Sequence, residues 1–87
     1  MAYTVEVETK AAREIRDLPK SDQRRVVAKI ETLAANPRPA GSTKLEGNSN
    51  LWRVRVGDYR ILYEIRDQKL IVMVVKVGHR RDVYRGK

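Results

Sequence analysis

The chain has 87 residues, carries 19 Lys and Arg against 11 Asp and Glu for a net charge of +8, and is 41% hydrophobic. That length holds one small domain, 1–87, with a modest core, and the hydrophobic share is too high for a disordered tail. With no Cys and one His, disulfides, thiolate zinc sites and multi-histidine metal sites are excluded, no metal or cofactor is expected, the apolar runs are too short to span a membrane, and the start MAYTVEVE lacks a signal pattern, which makes the cytoplasm the expected location.

Residues 2–8 alternate around Tyr3, Val5 and Val7 and predict a strand. Thr9 suits the N-cap of a helix through Leu18, with Ala12 and Ile15 turned inward, and Pro19 interrupts it. Ser21 or Asp22 then caps a longer helix to about Asn36, whose Val26, Val27, Ile30, Leu33 and Ala34 form one apolar stripe. So short a link predicts a helical hairpin. Residues 36–50, NPRPAGSTKLEGNSN, are rich in turn formers and read as a loop within the domain. Strands are predicted at 51–56, 59–66 and 69–77, the last so continuously apolar that both its faces should be covered. A basic tail, GHRRDVYRGK, closes the chain. The order is β-α-α-β-β-β, an α+β domain with the two-helix hairpin packed on one face of a four-stranded, mostly antiparallel sheet.

The charge is uneven: residues 1–43 hold 8 Lys and Arg against 6 Asp and Glu, residues 44–87 hold 11 against 5. An acidic partner is implied, nucleic acid first, unless the excess is only a solubilising surface. The stretch WRVRVGDYRI concentrates the question. A two-residue turn at Gly57-Asp58 pairs Val56 with Tyr59, Arg55 with Arg60, Val54 with Ile61 and Trp52 with Tyr63. Trp52, Val54, Val56, Tyr59, Ile61 and Tyr63 then share an apolar face, and Arg53, Arg55 and Arg60 the other, with Leu62 and Glu64. Like charges opposed across a ladder cost roughly 0.2–1 kcal/mol, which a bound anion would offset; neutralisation by Glu64, or splaying into water, is the plain alternative. The guanidinium fork fits phosphate oxygens.

The tail adds to this cluster. If the last strand runs back beside 59–66 and the chain turns at Gly78, then His79, Arg80, Arg81 and Tyr84 project toward the strand arginines. That constellation can cleave RNA: arginines hold the scissile phosphate, His79 moves a proton near neutral pH, and Tyr84 stacks on a base or acts as an acid. No metal is needed if the ribose 2′-OH is the nucleophile. The alternatives are a lone surface histidine, an aromatic latch at Tyr84, and a basic fringe of Arg81, Arg85 and Lys87.

These residues carry a resemblance. The opening AYTVEV, then LPKSDQRRV, NPRP, KLEG, LWRVRVGDYRILYEI and VVKVGHRRDVY, in this order over nearly the whole chain, resemble the RelE-type toxins of the RelE/ParE superfamily of toxin–antitoxin pairs. The resemblance implies two helices on a curved antiparallel sheet. It implies an mRNA endonuclease that acts in the ribosomal A site through the 2′-OH, leaving a cyclic phosphate and a 5′-OH. Arg53 and Arg55 match the two basic residues of the family's second strand, Arg60 its phosphate-binding arginine, Arg80 the arginine after the last strand, and Tyr84 the C-terminal tyrosine. Well-known members carry lysines on that strand, one assigned as general base. Arg cannot take that role, so His79 becomes the candidate base, with direct assistance from the ribosome and purely electrostatic catalysis by the arginines as the alternatives. Lys44, in KLEG, and Arg81 are candidate RNA contacts. The implied partners are the ribosome and mRNA, and a cognate antitoxin that is acidic where it meets Arg53, Arg55 and Arg60. Operator DNA would be reached only through the antitoxin complex, and no membrane is involved. Two other readings stand beside this one: a ParE-like gyrase inhibitor on the same fold, which needs no tyrosine or phosphate-binding cluster, and a non-catalytic basic nucleic-acid-binding module.

Overall fold

The computed structural model describes residues 2–45, 47 and 50–79. Strand β1 (Thr4–Val7) leads into helix α1 (Thr9–Arg16), and helix α2 (Lys20–Thr32) follows. Then come β2 (Thr43–Lys44), β3 (Leu51–Val56), β4 (Tyr59–Arg66), a 3-10 turn over Asp67–Lys69, and β5 (Ile71–His79). The strands form one mixed sheet in the order β1-β5-β4-β3-β2, with β1 parallel to β5 and the other neighbours antiparallel. The α+β class agrees with the sequence, and so does the element order apart from one added strand. The sheet has five strands rather than four because Thr43 and Lys44 pair with Arg53 and Trp52, inside the segment whose turn residues predict a loop. Two residues have no period to read, so such a strand is visible only beside its partner.

Both helices start earlier than the expected caps. Thr9 already lies in α1 behind Glu8, and α2 begins at Lys20 behind Pro19; neither flanking side chain caps its helix. Proline suits a helix start because the missing N–H has no partner there anyway. At the junction the Gln23 amide donates to the Leu18 carbonyl at 2.8 Å and the Arg16 carbonyl at 3.1 Å, satisfying acceptors that the end of α1 leaves open.

The core lies between the helices and one sheet face. Ala11, Val26, Ile30 and Leu33 meet Val54, Ile61, Tyr63, Ile65, Val72, Val74 and Val77. Each fully buried large side chain there contributes roughly 1.5–3 kcal/mol relative to exposure. Two positions depart from expectation. Ala11, not Ala12, is the fully buried alanine of α1, and Val27 is 40% exposed on the outer side of α2. The Tyr63 hydroxyl donates to the Pro37 carbonyl at 2.8 Å and tethers the chain that leaves α2; burial pushes its pKa up.

β5 is not covered on both faces among the described residues. Val72, Val74 and Val77 are buried, whereas Ile71, Met73 and Val75 are part-exposed on the helix-free face. The buried positions run 72, 74, 77 because the ladder slips once: Leu62 pairs with Lys76 but Tyr63 with Val74, leaving Val75 as the extra residue of a β-bulge. Beside it β1 has ended at Val7, opposite Val74, and α1 takes over that edge. Glu14 accepts the Val77 N–H at 2.8 Å and meets the Lys76 ammonium at 3.4 Å, so the freed edge is capped by a side chain.

A polar clasp closes the other end. The Tyr3 hydroxyl donates to Asp67 at 2.6 Å, and Arg38 donates to both Asp67 oxygens at 3.2 and 2.8 Å. The Arg38 guanidinium also sits 5.3 Å from the Trp52 ring centre. The hydrogen bonds from Arg38, then Tyr3, hold the Asp67 carboxyl below its ordinary range. A carboxyl with a lowered folded pKa stabilises above its unfolded pKa and loses that contribution as pH falls through the folded value. Asp67→Asn should therefore melt below the wild type at pH 7. The gap should narrow below about pH 4, the ordinary aspartate value, and close in stronger acid; paired melting curves across pH test this.

Candidate functional site

The β3–β4 turn positions the site. Gly57 takes a φ of +59°, which glycine adopts without steric cost, and the two-residue turn sets the register counted from the sequence. Val56 faces Tyr59, Arg55 faces Arg60, Val54 faces Ile61, Arg53 faces Leu62 and Trp52 faces Tyr63. Alternation sends Val54, Ile61 and Tyr63 into the core and Arg53, Arg55 and Arg60 to the opposite face. There they line a pocket of about 210 Å³ together with Gly41, Thr43 and Val54. Thr43 belongs to the same face because β2 pairs it with Arg53. Three guanidiniums, each always protonated and presenting a planar fork, make this a cleft for an anion with several oxygens.

Thr43 and Gly41 are the members that sequence reasoning missed. Their signal is the pairing of β2 with β3, which no local pattern announces. Lys44 goes the other way: its ladder partner is Trp52, so it is exposed on the Trp52 side of the sheet, away from the three arginines.

His79 does not join the arginines either. Arg60 pairs with Gly78, whereas His79 pairs with Tyr59, which places the imidazole on the helix-bearing face. Its ring stands edge-on to Tyr59, with centroids 5.9 Å apart and planes at 81°. The expectation that His79 projects toward the strand arginines fails for two reasons. β5 runs through Gly78 without turning, and the extra residue at Val75 reverses the alternation of every residue after it. Arg80, Arg81 and Tyr84 lie outside the described residues.

Behind the cleft, α2 braces the same end of the sheet. The Tyr59 hydroxyl donates to Asp22 at 3.1 Å; burial, reinforced by this carboxylate, raises its pKa and keeps it a neutral donor. Arg25 lies 3.7 Å from Asp22, and its guanidinium covers the turn so closely that a Cβ built on Gly57 would stand 2.7 Å from Nη2. No helix among the described residues is long and apolar enough to cross a membrane.

Both the sequence and the fold match known proteins. Residues 5–84 match the model of the family described as the ParE toxin of the type II toxin–antitoxin system parDE. Toxin RelG of Mycobacterium tuberculosis is 34% identical, over 98% of this chain and 99% of the relative. The mRNA interferase toxin RelE of Escherichia coli K12 is 28% identical, over 92% and 85%. Among solved structures, the archaeal RelE–RelB complex from Pyrococcus horikoshii OT3 superposes with a TM-score of 0.83 at 29% identity, covering 94% of this chain and 99% of that one.

The opposed Arg55–Arg60 pair predicts a trade between stability and binding. Arg55→Thr should leave the fold intact and gain about 0.2–1 kcal/mol in low-salt denaturant unfolding, a gain that disappears as salt screens the pair. The same variant should bind single-stranded RNA more weakly, with the slope of log K against log salt shallower by roughly 0.7. Parallel unfolding and filter-binding titrations check both halves.

Proposed function

The chain belongs to the ParE toxin family of type II toxin–antitoxin systems, and we propose that it cuts mRNA on the translating ribosome, gripping the scissile phosphate of the A-site codon in the Arg53–Arg55–Arg60 cleft. It is a RelE-type toxin with mRNA interferase activity, the activity borne in name by its Escherichia coli relative, and its partner is a cognate antitoxin, as RelB is in the archaeal complex. The observation that carries the finer reading is the direct opposition of Arg55 and Arg60 on a helix-free face, beside Arg53, around a pocket of about 210 Å³.

In this reading the 2′-oxygen of the target nucleotide attacks phosphorus. The bond from phosphorus to the 5′-oxygen of the next nucleotide breaks. The products are a cyclic phosphate and a 5′-OH; the 2′-OH releases its proton and the leaving oxygen gains one. The arginines hold no site that accepts a proton. They act by charge, neutralising the phosphate and binding most tightly when charge builds on its equatorial oxygens. Thr43 adds a hydroxyl on the cleft wall. Arg80, which matches the family's arginine after the last strand, supplies a further phosphate contact in this reading; Tyr84, its C-terminal tyrosine, stacks on a base or serves as an acid, and Arg81 is an additional RNA contact. Lys44 stays outside this cleft.

A second reading, gyrase inhibition, is favoured by one observation: the family model itself is described by ParE. Induced expression with primer extension on an abundant mRNA separates the two. Wild type should produce cuts inside codons that vanish when translation is blocked, and Arg60→Ala should reduce them by about 10²–10³-fold, the cost of losing one preorganised charge donor. Growth arrest with intact mRNA and DNA-damage signalling would overturn the nuclease reading in favour of gyrase.

A further inference from the structure

We infer that His79 is a positioning residue rather than the proton carrier of the reaction: with Tyr59 and Asp22 it locks the end of the β4–β5 ladder against α2 and so fixes the backbone that carries Arg60. This rests on the nuclease reading, in which Arg60 holds the phosphate.

The lock is a chain of contacts on the face opposite the cleft. Asp22, in the first turn of α2, accepts the Tyr59 hydroxyl at 3.1 Å. The Tyr59 ring meets the His79 ring edge-on at 5.9 Å, a geometry with its own attraction beyond the area buried. Tyr59 and His79 form the last pair of the ladder, and the next pair is Arg60 with Gly78. Gly78 contributes no side chain to the ladder at that step. Beyond Asp22, Arg25 covers Gly57, tying the turn before Tyr59 to the same helix. Arg60 therefore follows directly on a residue pinned to α2, and its ladder partner Gly78 precedes His79, which packs on that residue. The bulge at Val75 is what directs His79 into this lock; without it alternation would aim the imidazole at the arginines.

A small displacement of a charge donor is expensive in rate: misplacement by about 1 Å can cost about 10²-fold. Loosening the lock should lower kcat while the remaining arginines leave KM nearly unchanged. An aromatic ring without a titrating nitrogen should serve as well as imidazole.

The test compares His79→Phe, His79→Ala, Tyr59→Leu and the double variant His79→Ala/Tyr59→Leu. Cleavage is measured on programmed ribosomes, and amide hydrogen exchange at residues 59–61 and 77–79 on the full chain. His79→Phe should cleave within about threefold of wild type, while His79→Ala and Tyr59→Leu each lose about tenfold or more in kcat with KM within about twofold. The double variant should lose little more than either single one, because both break the same lock. Exchange at those amides should accelerate in the two truncations and not in His79→Phe. A His79→Phe protein as inactive as His79→Ala would overturn the inference, as would additive losses or unchanged exchange in His79→Ala. If wild type and Arg60→Ala both leave mRNA uncut, the nuclease reading fails instead, and the exchange data still decide whether the lock exists.

Discussion

Everything at the site depends on Arg55 standing directly across the ladder from Arg60. A repulsive pair of this kind survives because its register is held by stronger terms. Val54 and Ile61, the next pair inward, are buried against α2, and slipping β3 by one residue would carry that apolar set into water. Burial of such side chains contributes a few kcal/mol in total, against a repulsion of roughly 0.2–1 kcal/mol. The core therefore dictates the register, and the arginines accept the proximity it imposes. Gly57, with its positive φ, lets the two strands meet at that spacing.

The two faces of the sheet are built for opposite solvents. One is covered by α1 and α2 and sealed by the tyrosines: Tyr63 donates to Pro37 and Tyr59 to Asp22. The other presents guanidiniums at one end and the part-exposed Ile71, Met73 and Val75 along β5. The bulge at Val75 reconciles the two demands on a single strand. It returns Val77 to the core after Val74 and lets β5 extend past the end of β1, where Glu14 replaces the missing neighbour. Without that carboxylate the Val77 amide would face an unpaired edge. The same slip turns His79 away from the arginines and toward Tyr59, so one backbone irregularity sets both the packing of β5 and the chemistry available to the cleft.

In the proposed function the arginines act by charge, and ties at both ends of the sheet suit that role. Preorganised charges work because they need not move when the transition state forms. Here the turn and the ladder end are tied to α2 through Arg25 and Asp22. The opposite end is tied by Asp67 to Tyr3 and Arg38. In the proposed function the cleft meets a polyanion, and the net charge of +8 favours rapid encounter as well as grip.

Much of this was legible in the sequence, because much of it is local. Alternation along 51–66, closed by Gly57-Asp58, determined the hairpin register and the sidedness of Arg53, Arg55 and Arg60; helical spacing determined which face of α2 carries Val26, Ile30 and Leu33. Those signals lie within one element or one turn, where period and sterics suffice. What tertiary structure alone decided involves partners far apart in the chain. β2 exists only beside β3, so Thr43 reached the cleft and Lys44 did not. The carbonyls at the end of α1 and the open edge of β5 found their partners in Gln23 and Glu14, which lie in other elements. The direction of His79 was decided by a single extra residue, Val75, inserted where the sheet, the end of β1 and α1 all compete for β5. A strand's own alternation cannot report such a slip, because the slip is a property of the pairing and not of the strand.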